Sequence, residues 1–177
     1  MKIQLSPVIT PEELNPGFRQ LYTEAFPPDE RRDWQQLIEL LNNPLFTIFQ
    51  VYFQNEFAGF ISIWKLTGFN FIEHFAIQES ERDKGLGSKV LIPLLQKEQA
   101  PFILETEEPL SENSRRRIRF YEKLNFRINF FEYHQPPYSD GKNAVKMLLM
   151  SYPEKIQEIN SCEITDQIHR TVYRNQD

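Results

Sequence analysis

The spacing of hydrophobic positions changes several times along the chain, and each change marks an element. In "TPEELNPGFRQLYTEAF", Leu14, Phe18, Leu21 and Ala25 recur at helical spacing. Thr10, Pro11 and Glu13 supply a start signal: a capping hydroxyl, a proline at the first helical position and a glutamate three residues after the cap. Gly17 weakens the pattern from inside. After the prolines of "FPPDERRDW", Trp34, Leu37, Ile38 and Leu41 predict a second amphipathic helix, which "NNP" at 42–44 stops. The next segments, "LFTIFQVYF" and "EFAGFISIWKL", are rich in β-branched and aromatic residues. The polar "QN" between them predicts a hairpin, and "TGFN" turns the chain again into "FIEHFAI". Residues 45–77 therefore read as three consecutive antiparallel strands.

Helical spacing returns at Leu86, Val90 and Leu94, with Pro93 expected to kink that helix or remove one backbone bond. "PFILET" is a short buried-strand pattern. "SENSRRRIRFYEKLNF" carries Ile118, Tyr121 and Leu124 on one helical side, and "RINFFEYH" and "NAVKMLLMSY" flank the turn-rich loop "QPPYSDGK". The tail after Pro153 predicts one more helix through Ile164, Ile168 and Val172. Strand–helix–strand alternation in the middle implies parallel pairing there, beside the antiparallel meander. The expectation is a mixed α/β sheet with helices on both faces.

Composition narrows the class. A chain of 177 residues can bury a core without disulfides or metal. With 40% hydrophobic and 25% charged residues it is an ordinary globular sequence, and 15 Phe and 7 Tyr predict a ring-rich core or cleft. A net charge of −5 without a long basic block argues against nucleic acid as a partner. The single cysteine, Cys162, excludes an intramolecular disulfide framework and suits a reducing compartment. "MKIQLSPVIT" lacks the apolar centre of a signal peptide, and no run approaches the roughly 20 apolar residues of a membrane span. These features predict a cytoplasmic protein with no membrane partner.

The stretch "ERDKGLGSKVL" is the first with chemistry in it. It follows the strand "FIEHFAI" and opens a helix, the setting in which backbone N–H groups converge on an anion. The dinucleotide pattern G-x-G-x-x-G fails for want of a third glycine, and no G-x-x-x-x-G-K-[ST] loop exists. R-x-x-G-x-G remains, filled by Arg82, Gly85 and Gly87. It resembles the acetyl-CoA pyrophosphate loop of the GCN5-related N-acetyltransferase (GNAT) superfamily. "SRRRIRFYEKLNF" resembles the second signature of that superfamily, with Asn125 where the family carries glycine, a substitution that left-handed backbone tolerates. The early "LYTEAFPPDERRDW" resembles the acceptor-side helices of many bacterial members.

The resemblance covers residues 10–150 in element order, with the specific motifs in 71–126. It implies a central mixed sheet of about six to seven strands, a transferase domain over 1–152, and 153–177 as an extension packed on it. It also implies transfer of acetyl from acetyl-CoA to a primary amine, small-molecule rather than protein, in one ternary complex. The cofactor-side residues it assigns are Arg82, Lys84, Gly85, Gly87 and Ser88 around the pyrophosphate. The backbone at Phe75 and Ile77 would serve the pantetheine arm and the thioester carbonyl, and Asn113 the CoA arm. Tyr121 would protonate the leaving thiolate, from which a phenol differs by about 1.5 pKa units. Glu105 and Glu73 are the candidate bases, with Glu105 favoured and His74 a third choice. Glu73 is expected to share a face with Phe71, Phe75 and Ile77. Tyr133 and Tyr138 would wall the acceptor, and Asp29, Glu30 and Glu107 would attract a cationic amine. No metal is implied, and the late strands and tail could build a homodimer edge. Three alternatives stay open: acetylation of a protein lysine or N-terminus, a CoA-binding sensor without turnover, and a nucleotide-binding protein, for which ATP would compete with CoA.

Overall fold

A computed structural model describes residues 2–173. Seven strands form one mixed sheet in the order β1-β2-β3-β4-β5-β7-β6. Their ranges are β1 Ile3–Val8, β2 Phe46–Phe53, β3 Glu56–Leu66, β4 Phe69–Ile77, β5 Phe102–Glu107, β6 Arg127–Gln135 and β7 Val145–Tyr152. The meander 46–77 is antiparallel, as its turns require. Gln54 and Asn55, the "QN" turn, both adopt positive φ (52° and 68°), and Gly68 in "TGFN" does so at 86°.

Among the described residues five α-helices flank the sheet: α1 Phe18–Ala25, α2 Trp34–Glu39, α3 Leu86–Lys97, α4 Glu112–Lys123 and α5 Glu158–Ile168. Residues of α1, α2 and α5 pack on one face around Phe60, Trp64, Phe71 and Ile103. Helices α3 and α4 pack on the other, around Ile61, Ile72, Leu104 and Met150. Each fully buried Phe or Ile contributes about 1.5–3 kcal/mol. Helix α5 ends in a π-turn, His169–Tyr173, and Ile168, Val172 and Tyr173 bury themselves in the first of these cores. The extension thus joins the core of the preceding residues.

Two expectations about local structure need correction. The helix expected from Thr10 onward is a 3-10 turn at Pro11–Glu13 followed, after a break, by α1. Pro16 drives Asn15 out of helical backbone. Asn15 then donates its N–H to Gln50 Oε1 (2.6 Å), and its own Oδ1 accepts from the Gly17 N–H (2.9 Å). Second, β4 does not alternate evenly. The β3–β4 register shifts between Ser62 and Ile63, pairing Ser62 with His74 and Ile63 with Ile72, so Glu73 is the extra residue of a β-bulge. The bulge turns Glu73 and His74 to the α1/α2/α5 side together. Phe75 and Ile77 then face α3 and α4, so Glu73 shares a face with Phe71 but not with them.

Strands β4 and β5 are the parallel pair, and they pair for three rungs only: Asn70–Phe102, Phe71–Ile103 and Ile72–Leu104. Beyond the third rung β4 runs on to Ile77 and β5 to Glu107 without pairing to each other, β4 keeping β3 and β5 keeping β7 as neighbour. The sheet splits into a V whose first unpaired positions are Glu73 on one arm and Glu105 on the other.

Candidate active site

A cleft of about 660 Å³ lies at this split, on the α3/α4 side. One wall is the free edge of β4. Gln78 donates its N–H to Ala58 O (2.8 Å) and His74 donates its own to Ser62 Oγ (3.1 Å), so the even-numbered amides of this segment face β3. Alternation then turns the Phe75 and Ile77 N–H groups toward the opening. Arg82 Nε donates to the Ile77 carbonyl at 3.0 Å, closing the end of that edge.

The floor is the start of α3. Gly85 caps this twelve-residue helix in left-handed backbone, φ 71° and ψ 14°. Lys89 donates to the Gly85 carbonyl (3.2 Å), leaving the amides of Leu86, Gly87 and Ser88 outside the helical ladder at the positive end of the dipole. The two glycines serve different needs. A Cβ on Gly85 would meet nothing within 4 Å, so its φ, not crowding by protein, demands glycine. A Cβ on Gly87 would lie 3.0 Å from Phe120 Cζ and 3.7 Å from Phe75 Cε1, so Gly87 lets two aromatic rings close over the helix. Those rings stack with centroids 6.4 Å apart.

Helix α4 supplies the other wall. Ser111 caps it, accepting from the Ser114 N–H at 3.0 Å. Asn125 ends it at φ 66°, the left-handed conformation expected of its place in the glycine position. Tyr121 is buried, edge-on to Phe120 and Phe126, and lines the cleft. Its hydroxyl takes no hydrogen bond from the described residues. Burial pushes its pKa up to about 12, with the Arg117 charge pulling slightly the other way. Arg82, Arg116, Arg117, Arg119 and Lys123 also line the cleft and give it a basic rim.

Phe75, Ile77, Arg82, Gly85, Gly87, Ser88, Asn113 and Tyr121 thus stand around one cleft. Lys84 does not: it is turned outward to Glu81, 3.1 Å away. Sequence reasoning missed Phe120, Arg116, Arg117 and Arg119, of which only Arg117, four residues before Tyr121, carried helical spacing as a signal.

The carboxylates lie on the α1/α2/α5 face. The Glu73 side chain is fully buried. Arg32 Nε stands 2.9 Å from its Oε1, off the N–H direction and so an ion pair, and Trp64 Nε1 donates to its Oε2 at 2.7 Å. The Arg32 guanidinium also lies over the Tyr138 ring at 4.8 Å. Glu105 accepts from Tyr133 and, at 2.5 Å, from Tyr173. Burial lifts its pKa to about 7 against the pull of those two hydrogen bonds. Neither glutamate lines the cleft. His74 Nε2 donates to the Glu30 carbonyl (2.9 Å), which fixes the tautomer, and burial lowers its pKa, so the ring stays neutral. Arg32 carried no signal of its own in the sequence, since its neighbour Arg31 has the same chemistry.

A second cleft, about 520 Å³, adjoins the first and shares Phe26, Asn113 and Arg117 with it; Pro27, Pro28 and Arg31 line one side and Glu107 another. The segment beside it is pinned from three elements. His74 holds the Glu30 carbonyl, Gln135 Nε2 holds that of Asp29 (2.8 Å), and Lys142 Nζ that of Arg31 (2.6 Å). Glu30 has its pKa raised to about 7 by burial and then by Glu107, while Arg117 opposes the shift. Glu107 is paired with Arg117 at 2.9 Å. Tyr133 and Tyr138 are fully buried and wall neither cleft: Tyr133, on β6, turns its hydroxyl to Glu105, and Tyr138 lies in the β6–β7 loop, which folds down onto residues 27–33 instead of arching over an opening.

Comparison with known proteins agrees with this geometry. The family model described as the Acetyltransferase (GNAT) family matches residues 12–126. A solved protein of Bacteroides thetaiotaomicron assigned to the GNAT family superposes with a TM-score of 0.86 at 30% identity, covering 98% of each chain. A GNAT family acetyltransferase from Elizabethkingia anophelis, solved with acetyl-CoA bound, has a TM-score of 0.59 at 20% identity over 84% of this chain and 96% of its own. A Bacillus subtilis acetyltransferase in complex with CoA has a TM-score of 0.58 at 18% identity over 85% and 96%. No curated protein matches the sequence significantly. Among the described residues no helix is long and apolar enough to cross a membrane. With the split sheet, the glycine-capped helix and the matched residues 12–126 in agreement, the chain belongs to the GNAT family of acetyltransferases.

Proposed function

We propose that this protein transfers an acetyl group from acetyl-CoA to the primary amine of a small molecule. The observation that carries the reading is the placement of a free strand edge, a glycine-capped helix N-terminus and the unpartnered Tyr121 hydroxyl around one cleft at the V. The amides of Leu86, Gly87 and Ser88, with Arg82 and the α4 arginines, suit the pyrophosphate and 3′-phosphate of CoA. The outward N–H groups of Phe75 and Ile77 suit the pantetheine amides and the thioester oxygen.

The V opens through the sheet, so side chains on its two faces can address one reaction. Tyr121 acts from the α3/α4 face and Glu105 from the other. An ammonium has no lone pair, so Glu105, which lines neither cleft and with a pKa of about 7 is about half ionised at neutrality, takes a proton from the acceptor through water. The amine nitrogen then bonds to the thioester carbon, the carbon–sulfur bond breaks, and Tyr121 gives its proton to the departing thiolate. The amine loses two protons in all. One reaches the sulfur by way of Tyr121, and the other leaves through the carboxylate to solvent. The pinned segment 27–31 and the modest second cleft favour a compact acceptor over a peptide laid across the surface.

Calorimetric titration with acetyl-CoA, with ATP as control, tests the donor site, and thiol release across an amine panel tests transfer. Micromolar binding of acetyl-CoA alone and thiol release with a small amine are expected. Absence of binding at millimolar acetyl-CoA refutes the reading.

A further inference from the structure

The two carboxylates at the apex of the V sit at matching positions, one residue past the last paired rung of β4 and of β5. Left alone, two carboxylates so placed would repel each other and lack donors. What separates and satisfies them comes from outside the two strands, and much of it comes from the tail. Arg32 faces Glu73 through Nε and donates from Nη2 to the Val172 carbonyl at 2.6 Å. The next residue, Tyr173, donates its hydroxyl to Glu105 at 2.5 Å. A continuous polar chain thus crosses from one arm of the V to the other: Glu73, Arg32, Val172, Tyr173, Glu105. Its tail members are fixed in place, since Val172 and Tyr173 are buried and the Tyr173 ring lies 5.0 Å from that of Tyr138.

We propose that the C-terminal element 158–173 completes the transfer site, with Tyr173 as a positioning residue that fixes the Glu105 carboxylate opposite Tyr133. This rests on the transferase reading above and assigns the tail a part in it. The chemistry follows from the donors. A carboxylate only accepts, and each of its oxygens here receives one phenolic O–H, Tyr133 on Oε1 and Tyr173 on Oε2. Both phenols have pKa values raised far above the ordinary range by burial and by Glu105 itself, so they remain donors at every working pH. They favour the ionised carboxylate, which is the form able to accept a proton, and they fix its plane. The other charged or titratable groups facing this site are Glu73 with its Arg32, Glu30 from the segment before α2, Tyr138 from the β6–β7 loop, and His169, whose ring lies 5.4 Å from that of Tyr133 and 6.4 Å from that of Tyr173. Of these, Glu73 and Glu30 push the Glu105 pKa up. The two hydrogen bonds therefore keep Glu105 usable at neutral pH against burial and two like charges.

The test is Tyr173→Phe in the full chain, which removes one oxygen and keeps the ring, with Tyr133→Phe as a companion from the other side. Carboxyl titration of 13C-glutamate-labelled protein by NMR, with Glu105→Gln to assign the signal, reads the group directly. The Glu105 midpoint is expected to rise by about one pH unit in either variant, and the acid limb of kcat/KM to rise with it. In a Glu105→Gln background Tyr173→Phe should change kcat/KM little. An unmoved midpoint and limb, or an equal loss of kcat/KM in both backgrounds, overturns the proposal and leaves Tyr173 a packing residue. Failure of the native protein to bind acetyl-CoA is a separate result: it removes the transferase reading before any variant is compared.

Discussion

Substitution at Gly85 separates a requirement of the backbone from a requirement of the ligand. The residue sits at φ 71°, and a Cβ there would meet no protein atom within 4 Å. Alanine should therefore cost only the left-handed penalty, about 1–2 kcal/mol. For a chain of this size that lowers the melting midpoint by roughly 2–8 °C. Asparagine tolerates the same φ far better, so Gly85→Asn should melt close to the native protein. It would, however, place a larger side chain in the open space where the phosphates are proposed to lie. Calorimetric affinity for acetyl-CoA should then fall at least about tenfold, or about 1.4 kcal/mol. At Gly87 the requirement is reversed, space and not φ. Alanine inside α3 gains about 1 kcal/mol of helix propensity, while its Cβ at 3.0 Å from Phe120 makes that half-buried ring move by a few tenths of an ångström. Gly87→Ala should melt within a few degrees of native and bind acetyl-CoA more weakly through the displaced ring. A Gly85→Ala protein that melts with the native one would refute the backbone argument. A Gly85→Asn protein with native affinity would show that the open space is not ligand space.

Three further outcomes are expected. Tyr121→Phe should bind acetyl-CoA normally and lose about 10²–10⁴-fold in turnover, the usual worth of a positioned acid; with its pKa near 12, Tyr121 should add no alkaline limb below about pH 11 to the native profile. Arg32→Ala should cost about 3–5 kcal/mol in denaturant unfolding, because it strands the buried Glu73 carboxylate, and Arg32→Leu with Glu73→Gln should recover much of that. The third outcome concerns pH. Glu105 has a folded pKa near 7, above the ordinary 4.5, so the folded state holds its proton more tightly than the unfolded chain. Its contribution is full below about pH 4.5 and is lost as pH rises through 7. Thermal midpoints followed from pH 5 to 8 should fall more steeply for the native protein than for Glu105→Gln, and parallel slopes would contradict the burial argument.

The elements that sequence patterns revealed are those in which local chemistry and tertiary packing agree. The "QN" and "TGFN" turns, the meander they close and the left-handed Asn125 are decided within a few residues, and the structure keeps each of them. The cleft on the α3/α4 side was legible for the same reason: strand edge, glycine cap and Tyr121 each belong to a contiguous motif. The acceptor side was not. Its geometry depends on one inserted residue in β4, which reverses the alternation after Glu73 and sends Phe75 and Ile77 to the opposite face. A bulge leaves no mark in a run such as "FIEHFAI", where both faces are buried and either phase of the pattern looks acceptable. The partners of the two carboxylates are equally non-local: Arg32 stands 41 positions before Glu73 and Tyr173 68 positions after Glu105. Only closure of the sheet brings them together. What could have been inferred earlier is the need itself. Glu73 and Glu105 end two apolar strand cores, and carboxylates so placed require donors. The tail was the unassigned part of the chain, and Tyr173 is the single tyrosine in it, an apolar ring that can be buried with a donor at its tip.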